Sequence, residues 1–448
     1  MHRIVEDWEK ASGMQWDVVV IGAGVSGLAA ARRMAEAGLR VVVLAASDRV
    51  GGRILTVREG ETVVELGAEF VHGRPQVLWD LIAEAGLETY ERVGEFMRRE
   101  DGTLVGGDWD EDDEDGPMER LKDFAGPDCS FLEYLERSGV PREEWAEAVG
   151  YVEGFNAADA REASALALGK QQRAEDEIEG DRVWKMKGGY DGVTSFLRER
   201  VVAAGGEAVL RARVVRVEWS AMRKGCEESA KNAKVFVADG GILEAKACVV
   251  TVPLGVLQAG AIEFVPPVPQ VMEAAGRMRM GQVCRFTMVF RKRLWPEEMS
   301  FLLAREMVPG VWWTGRPAED KTLTGWVGGP RSAELLGLGV EALRERAVSA
   351  AAKALGLSEE EVRAELQGFY TCDWRANEFF KGAYSWVPVD GLEASTAMSE
   401  PVDGVLFFAG EHTDTTGHWG TVHAALGSGL RAAKQVLDQA SVESGRYE

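Results

Sequence analysis

The chain has 448 residues, 46% of them apolar and 28% charged, with 51 basic against 73 acidic side chains and a formal net charge of -22. That length exceeds one ordinary hydrophobic core, and the negative balance argues against nucleic acid or an anionic membrane as partners, whose phosphates would be repelled. No apolar run reaches the roughly 18 to 20 residues of a membrane span, and the five scattered cysteines, 129, 226, 248, 284 and 372, suit reduced thiols in a cytoplasm, with neither disulfides nor a metal site expected.

The polar, acidic opening MHRIVEDWEKASG (1–13) lacks the basic start and apolar stretch of a secretion signal and reads as a tail. Residues 17–22, DVVVIG, predict a buried strand, Val25 to Ala37 a helix packed closely on a sheet, and Val41 to Leu44 a second strand. Between them GAGVSG offers Gly22 for a tight turn, Gly24 for close approach of backbone to a pyrophosphate, and Gly27 for helix–strand contact, while the helix amino end favours phosphate. On this motif alone, a merely glycine-rich turn stays open. Where such a unit normally ends its second strand in an acid for a ribose hydroxyl, this chain has Ala45, then Ala46 and Ser47. DRVGGR adds Gly52 and Arg53, which could meet the same diphosphate, and ELGAEFVHG forms a third glycine turn.

From about 75 to 200 the pattern is mostly helical and amphipathic, as an inserted domain would be, with an acidic run at 108–115 that reads as a solvated loop or as steering for a cationic substrate. Strands return at AVLRARVVRVEW and KVFVADGGILEAKACVVTVP around the polar SAMRKGCEESAKNA. CRFTMVF, MSFLLA and TLTGWVGG predict an antiparallel sheet carrying the helix GVEALRERAVSAAAKALG; GVLFFAGEHT is a buried strand and its turn, and GTVHAALGSGLRAAKQVLDQ a closing helix. There is no internal repeat, so the nucleotide-binding domain is expected to be discontinuous.

Taken in order, DVVVIGAGVSGLAAARRM, DRVGGR, ELGAEFVHG, VVTVPLGVLQAGAIEFVPPVP, MGQVCRFTMVF, FFKGAYSWVP and LFFAGEHT with GTVHAALGSGLRAA resemble the flavin-containing amine oxidases, closest to the polyamine oxidase and histone lysine demethylase branch, almost end to end. The resemblance implies an α/β fold: a Rossmann-like FAD-binding domain of the GR2 type, discontinuous in sequence (14–85, 187–285 and 385–448), and an α+β substrate domain built on an antiparallel sheet (86–186 and 286–384). It implies FAD held noncovalently, since Ala383 stands where animal monoamine oxidases carry the flavin-bonded cysteine. It further implies hydride transfer from an amine α-carbon to flavin N5, hydrolysis of the imine to an aldehyde, and reduction of oxygen to hydrogen peroxide. A polyamine or other cationic amine is the expected substrate; the sequence leaves the oligomeric state open.

Individual residues carry over. The resemblance places Gly22, Gly24, Gly27, Ala46, Ser47, Gly52, Arg53, Gly67, Ala68, Glu69, Gly410 and Glu411 along the cofactor. Val215 matches the position whose backbone meets the adenine, and Gly420, Thr421 and Val422 begin the helix facing the flavin pyrimidine edge, where an amino end stabilises negative charge. Tyr384 matches the aromatic wall beside the reacting face, Thr421 stands at the other wall in place of a second tyrosine, His72 matches a histidine near the substrate tunnel, and Trp374 an aromatic next to the flavin. Each of Tyr384, His72 and Trp374 has a core or structural side chain as its alternative reading.

Two positions depart from the family. Ala45 removes the ribose carboxylate, with Asp48 and Ser47 as nearby substitutes. Arg285 stands where the family usually has a lysine that holds a water near N5; an arginine can donate to such a water but cannot act as a base, and it can instead be a strand residue paired with an acid. The alternatives left standing are a related flavoprotein L-amino-acid oxidase or desaturase, for which Arg316 and Arg331 are candidate carboxylate partners, and a non-catalytic scaffold with a weakened FAD site.

Overall fold

The computed structural model describes residues 8, 11–100, 103–107, 116–221, 232–304, 306–315 and 320–444. The acidic run 108–115, Cys226 and Arg316 lie outside the described residues.

The strand Trp16–Ile21 lies in an eight-stranded sheet, paired in parallel with Val41–Leu44 on one side and Ile242–Val250 on the other. Glu207–Val209 extends the sheet beyond Val41–Leu44, and Leu406–Phe408 joins Ile242–Val250 in parallel. These central strands are apolar at successive positions because both faces are covered: Val18 and Val20 pack with Leu28 and Met34 of the helix Val25–Glu36, whereas Val19 and Ile21 pack with Leu254 and Val271. Helix Val25–Glu36 crosses helix Val422–Ser444 where the Ser26 and Ser428 hydroxyls lie 3.3 Å apart; a Cβ on Gly429 would overlap the Ser26 backbone. One sheet thus collects strands from the beginning, middle and end of the chain, so its strand ends bring distant segments to one edge.

A seven-stranded sheet runs Leu366–Thr371, Val283–Phe290, Thr322–Gly328, Val311–Thr314, Met299–Leu303, Glu95–Glu100, Thr103–Gly107. Helix Val340–Leu355 covers it, with Leu343, Ala347 and Val348 packed on Phe286, Met288 and Phe290. All its pairs are antiparallel except Met299–Leu303 with Glu95–Glu100.

The helical expectation for 75–200 needs correction. Helices Gln76–Glu84, Phe131–Arg137, Trp145–Gly154 and Ala165–Asp176 are present, but Thr89–Glu91, Glu95–Glu100, Thr103–Gly107 and Val183–Met186 are strands. Glu95–Glu100 is recruited as a sheet extension, with Phe96 stacked on Phe301 at 4.8 Å, so tertiary pairing overrides a weak local pattern. No described helix is long and apolar enough to cross a membrane.

Candidate active site

A cavity of about 1880 Å³ runs between the two sheets, lined at one end by Gly22, Gly24, Ala45 and Ala46 and at the other by Phe70, Trp313, Trp326 and Tyr384. Its glycine end is built by close approach. Gly22 has φ +114°, a left-handed conformation that side chains resist, and a Cβ there would stand 2.5 Å from Thr251 Oγ1. A Cβ on Gly27 would overlap the Gly22 carbonyl oxygen, so Gly27 serves the helix–strand contact and does not line the cavity. The helix Val25–Glu36 has neither a side-chain cap nor an acid in its first turn, which leaves its positive end facing the cavity. That is the donor set a dinucleotide diphosphate needs.

Glu411 gathers three separate segments. Its carboxylate accepts from Arg53 Nη1 at 2.8 Å, from the Gly420 N–H at 3.0 Å, and from the Ser385 hydroxyl. Burial would raise this carboxyl, but Arg53, His412 and Ser385 outweigh it and hold Glu411 below the usual range. Arg53 Nη1 also donates to the Ala383 carbonyl at 2.8 Å. Gly52, Gly67, Ala68, Gly410 and Val422 line the same cavity, as does Trp374, whose Nε1 donates to the Leu66 carbonyl at 2.8 Å. Thr421 lines it too, but its side chain is occupied as the helix cap: Oγ1 donates to the His418 carbonyl at 2.7 Å and accepts from Ala424 N–H at 3.1 Å.

Val215 does not line the cavity; Val214 does. The pairing of Val214–Ser220 with Asn232–Val237 slips between Val214 and Arg216, so Val215 sits at an irregularity of the strand.

Arg285 is a strand residue held by an acid. Its Nη2 pairs with Glu69 Oε2 and its Nη1 donates to the Gly67 carbonyl at 2.7 Å, while Lys185 Nζ meets Glu69 Oε1 at 2.7 Å and Trp313 Nε1 donates to Oε2 at 3.1 Å. Burial alone would raise Glu69, yet Lys185 and Arg285 bring it down to about 2. Arg285 still lines the cavity, and its buried Nε has no hydrogen-bond partner. Glu69 therefore reaches the cavity as a carboxylate already matched by two cations.

Tyr384 stacks on Trp326 (centroids 6.4 Å, 13° between planes), and its hydroxyl donates to the Phe155 carbonyl at 2.6 Å. His72 sits edge-on to Phe155 at 5.5 Å and to Phe70 at 6.0 Å, and burial pushes its imidazole down to about 4, so the ring is neutral near pH 7. Sequence reasoning missed Lys185, Trp313 and Trp326, and also a polar chain in which Asn156 Nδ2 donates to Gln171 Oε1 (2.8 Å) and Gln171 Nε2 to Glu175 Oε1 (3.1 Å). Burial pushes Glu175 up to about 7. Arg331, raised as a carboxylate partner, lines the cavity and donates to the Met307 carbonyl at 2.7 Å. Among the described residues no group of three His, Cys, Asp or Glu could hold a metal ion.

Comparison with known proteins shows the family and the fold. The family model described as flavin containing amine oxidoreductase matches residues 25–145 and 118–437. Polyamine oxidase 3 of Oryza sativa subsp. japonica is 27% identical over 93% of this chain and 88% of its own, and amine oxidase [flavin-containing] B of Sus scrofa 25% identical over 94% and 86%. The solved structure of putrescine oxidase with putrescine bound superposes with TM-score 0.79 at 23% identity, covering 95% of this chain and 99% of that one, which shows the shared fold. The chain thus belongs to the flavin-containing amine oxidoreductases, and it is an FAD-dependent enzyme of that family.

Proposed function

We propose that the protein oxidises a small, cationic amine at its α-carbon. Bound FAD would supply the two-electron acceptor for the hydride leaving the α-carbon of the amine in its neutral form, the ammonium proton having passed to water, and molecular oxygen would afterwards take the electron pair with two protons as hydrogen peroxide. The imine left behind adds water and splits into an aldehyde and the remaining amine or ammonia. The observation that carries this reading is the single continuous cavity joining a diphosphate-binding glycine turn to an aromatic-walled chamber.

The chain's own side chains bind, orient and exclude water. Tyr384, fixed by its stacking on Trp326 and its bond to Phe155, offers a flat wall against which the amine carbon is aligned. Phe70 and Trp313, edge to face at 5.5 Å, line the chamber, Trp313 beside Glu69, and His72, being neutral, sets no charge against an incoming ammonium. Arg285 stays a donor and cannot accept the substrate's proton. Glu144, Glu147, Glu153, Glu175 and Asp181 line the cavity along 144–181, and such an acidic path draws in cations, which supports a polyamine or related substrate.

In this reading the eight-stranded sheet carries FAD and the seven-stranded sheet with the 116–180 helices encloses the substrate. FAD is held noncovalently, the residue beside Tyr384 being Ala383, and the free cysteines go with a cytoplasmic setting. A peroxide-coupled assay over mono-, di- and polyamines and their parent amino acids tests the proposal. Turnover is expected on at least one amine, faster than on the corresponding amino acid. A yellow, folded protein silent on every amine would remove it.

A further inference from the structure

At the far end of the cavity the second strand of the nucleotide-binding unit stops at Leu44, and the residue that should turn a carboxylate to the adenosine ribose is Ala45. Neither neighbouring residue that could replace it presents a carboxylate to this cavity. Ser47 Oγ donates to the Arg49 carbonyl at 2.8 Å, and Asp48 lies outside the cavity lining, 3.8 Å from Arg211. Arg49 lines the cavity, but its guanidinium is spent on the carbonyls of Val50, Ile54 and Gly52 and offers the ribose no acceptor.

One carboxylate does stand at this end. Arg211 N–H bonds the Ser47 carbonyl at 2.9 Å and Ala212 N–H the Ala45 carbonyl at 2.8 Å, so the segment 211–213 runs beside the vacant acid position. From the next residue, Arg213 Nη1 donates to Glu378 Oε2 at 2.7 Å, and both side chains line the cavity. Glu378 is carried on an anchored turn: Asp373 Oδ1 accepts from Ala376 N–H at 2.9 Å, Asn377 Oδ1 from Phe379 N–H at 3.0 Å, and Trp374 is pinned to Leu66. Phe379 and Phe380, which follow it, line the cavity as well and also border Ala46 and Ser47 in a smaller adjoining pocket.

We propose that Glu378, oriented by Arg213, is the ribose-binding acid of this protein, replacing from a loop after the second sheet the carboxylate missing at Ala45. Oε2 is taken by Arg213, and Oε1 is the acceptor presented to the two ribose hydroxyls. The assignment rests on FAD occupying the cavity and is independent of which amine is oxidised. Glu378 thereby also ties the substrate portion of the chain to the adenosine end, since its loop continues directly into Ala383 and Tyr384.

The test is titration of FAD into apoprotein, read by flavin fluorescence, for the wild type, Glu378→Gln, Ala45→Glu, and Glu378→Gln combined with Ala45→Glu. Because the side chain of Glu378 is 58% exposed, the loss expected in Glu378→Gln is about tenfold in Kd, the lower end for a hydrogen bond to a charged group. Ala45→Glu returns affinity in that background to the wild-type level or better and adds less to the wild type, because the two carboxylates serve the same hydroxyls; a merely structural role for Glu378 would give equal gains in both backgrounds. A Glu378→Gln affinity within twofold of wild type, or a loss that Ala45→Glu leaves unrepaired, overturns the assignment. Failure of the wild-type apoprotein to take up FAD would instead overturn the cofactor reading beneath it.

Discussion

Arg53 donates to the Glu411 carboxylate at 2.8 Å across a sequence separation of 358 residues, and the same carboxylate holds the Gly420 N–H at the start of the helix Val422–Ser444. One buried acid therefore sets the relative position of the second glycine turn, the Ala383–Ser385 segment and that helix start. Replacing Glu411 by Gln removes the charge while leaving Arg53 in place. Breaking a buried pair in this way costs about 3 to 5 kcal/mol. The variant is expected to emerge from gel filtration largely without FAD and to melt well below the wild type even when both are flavin-free.

The Glu69 cluster gives a prediction about acid. Glu69 is held at about 2 against an ordinary value of 4.5, so its contribution to stability is complete above pH 4.5 and is lost as the pH falls toward 2. Glu69→Gln leaves Lys185 and Arg285 without their anion and is expected to lower stability at pH 7 by about 3 to 5 kcal/mol, with a flatter stability profile between pH 4.5 and 2. Adding Lys185→Met recovers part of the loss. Urea melts across that pH range measure both effects.

Glu175 behaves in the opposite sense. Its folded value of about 7 lies above 4.5, so the folded state binds the extra proton between those values and stability falls as the pH rises through them. Glu175→Gln keeps the bond to Gln171 and removes the buried charge. It is expected to raise stability at pH 8 by about 1 to 3 kcal/mol and to change nothing at pH 4. Equal stabilisation at both pH values would rule out the titration as the cause.

The parts of the site legible in the sequence are those dictated by local backbone geometry. GAGVSG fixes a turn within a few residues, and φ +114° at Gly22 is a demand only glycine meets easily. The continuous apolar run of Trp16–Ile21 likewise announces a strand covered on both faces. Lys185 was not legible, because its meeting with Glu69 depends on the antiparallel register that places Phe70 opposite Lys185, set by a three-residue strand too short to carry a periodic signal. Val215 rests on the family resemblance; beside it Val214 lines the cavity, at a strand irregularity that no residue type in RVVRVEW marks. Arg285 was readable as an outlier, but which of its two roles prevails depends on Glu69, 216 positions away.

Tyr384 separates wall from hydrogen bond. Tyr384→Phe keeps the stacking on Trp326 and loses the bond to Phe155, so kcat/KM is expected to stay within a few-fold while stability drops by about 0.5 to 1.5 kcal/mol. Tyr384→Ala removes the wall itself and is expected to lower kcat/KM by about tenfold to a hundredfold, through misalignment of the amine carbon. Steady-state kinetics with the best amine, alongside thermal melts, reads both.

The most direct test of one cavity serving both FAD and amine is an anaerobic titration of the purified protein followed in the visible flavin band. The account predicts one FAD per chain and complete bleaching by a stoichiometric amount of a cationic amine, reversed on admitting air with release of one hydrogen peroxide. A protein that binds FAD in full, yet whose band stays unchanged with every amine, would contradict it.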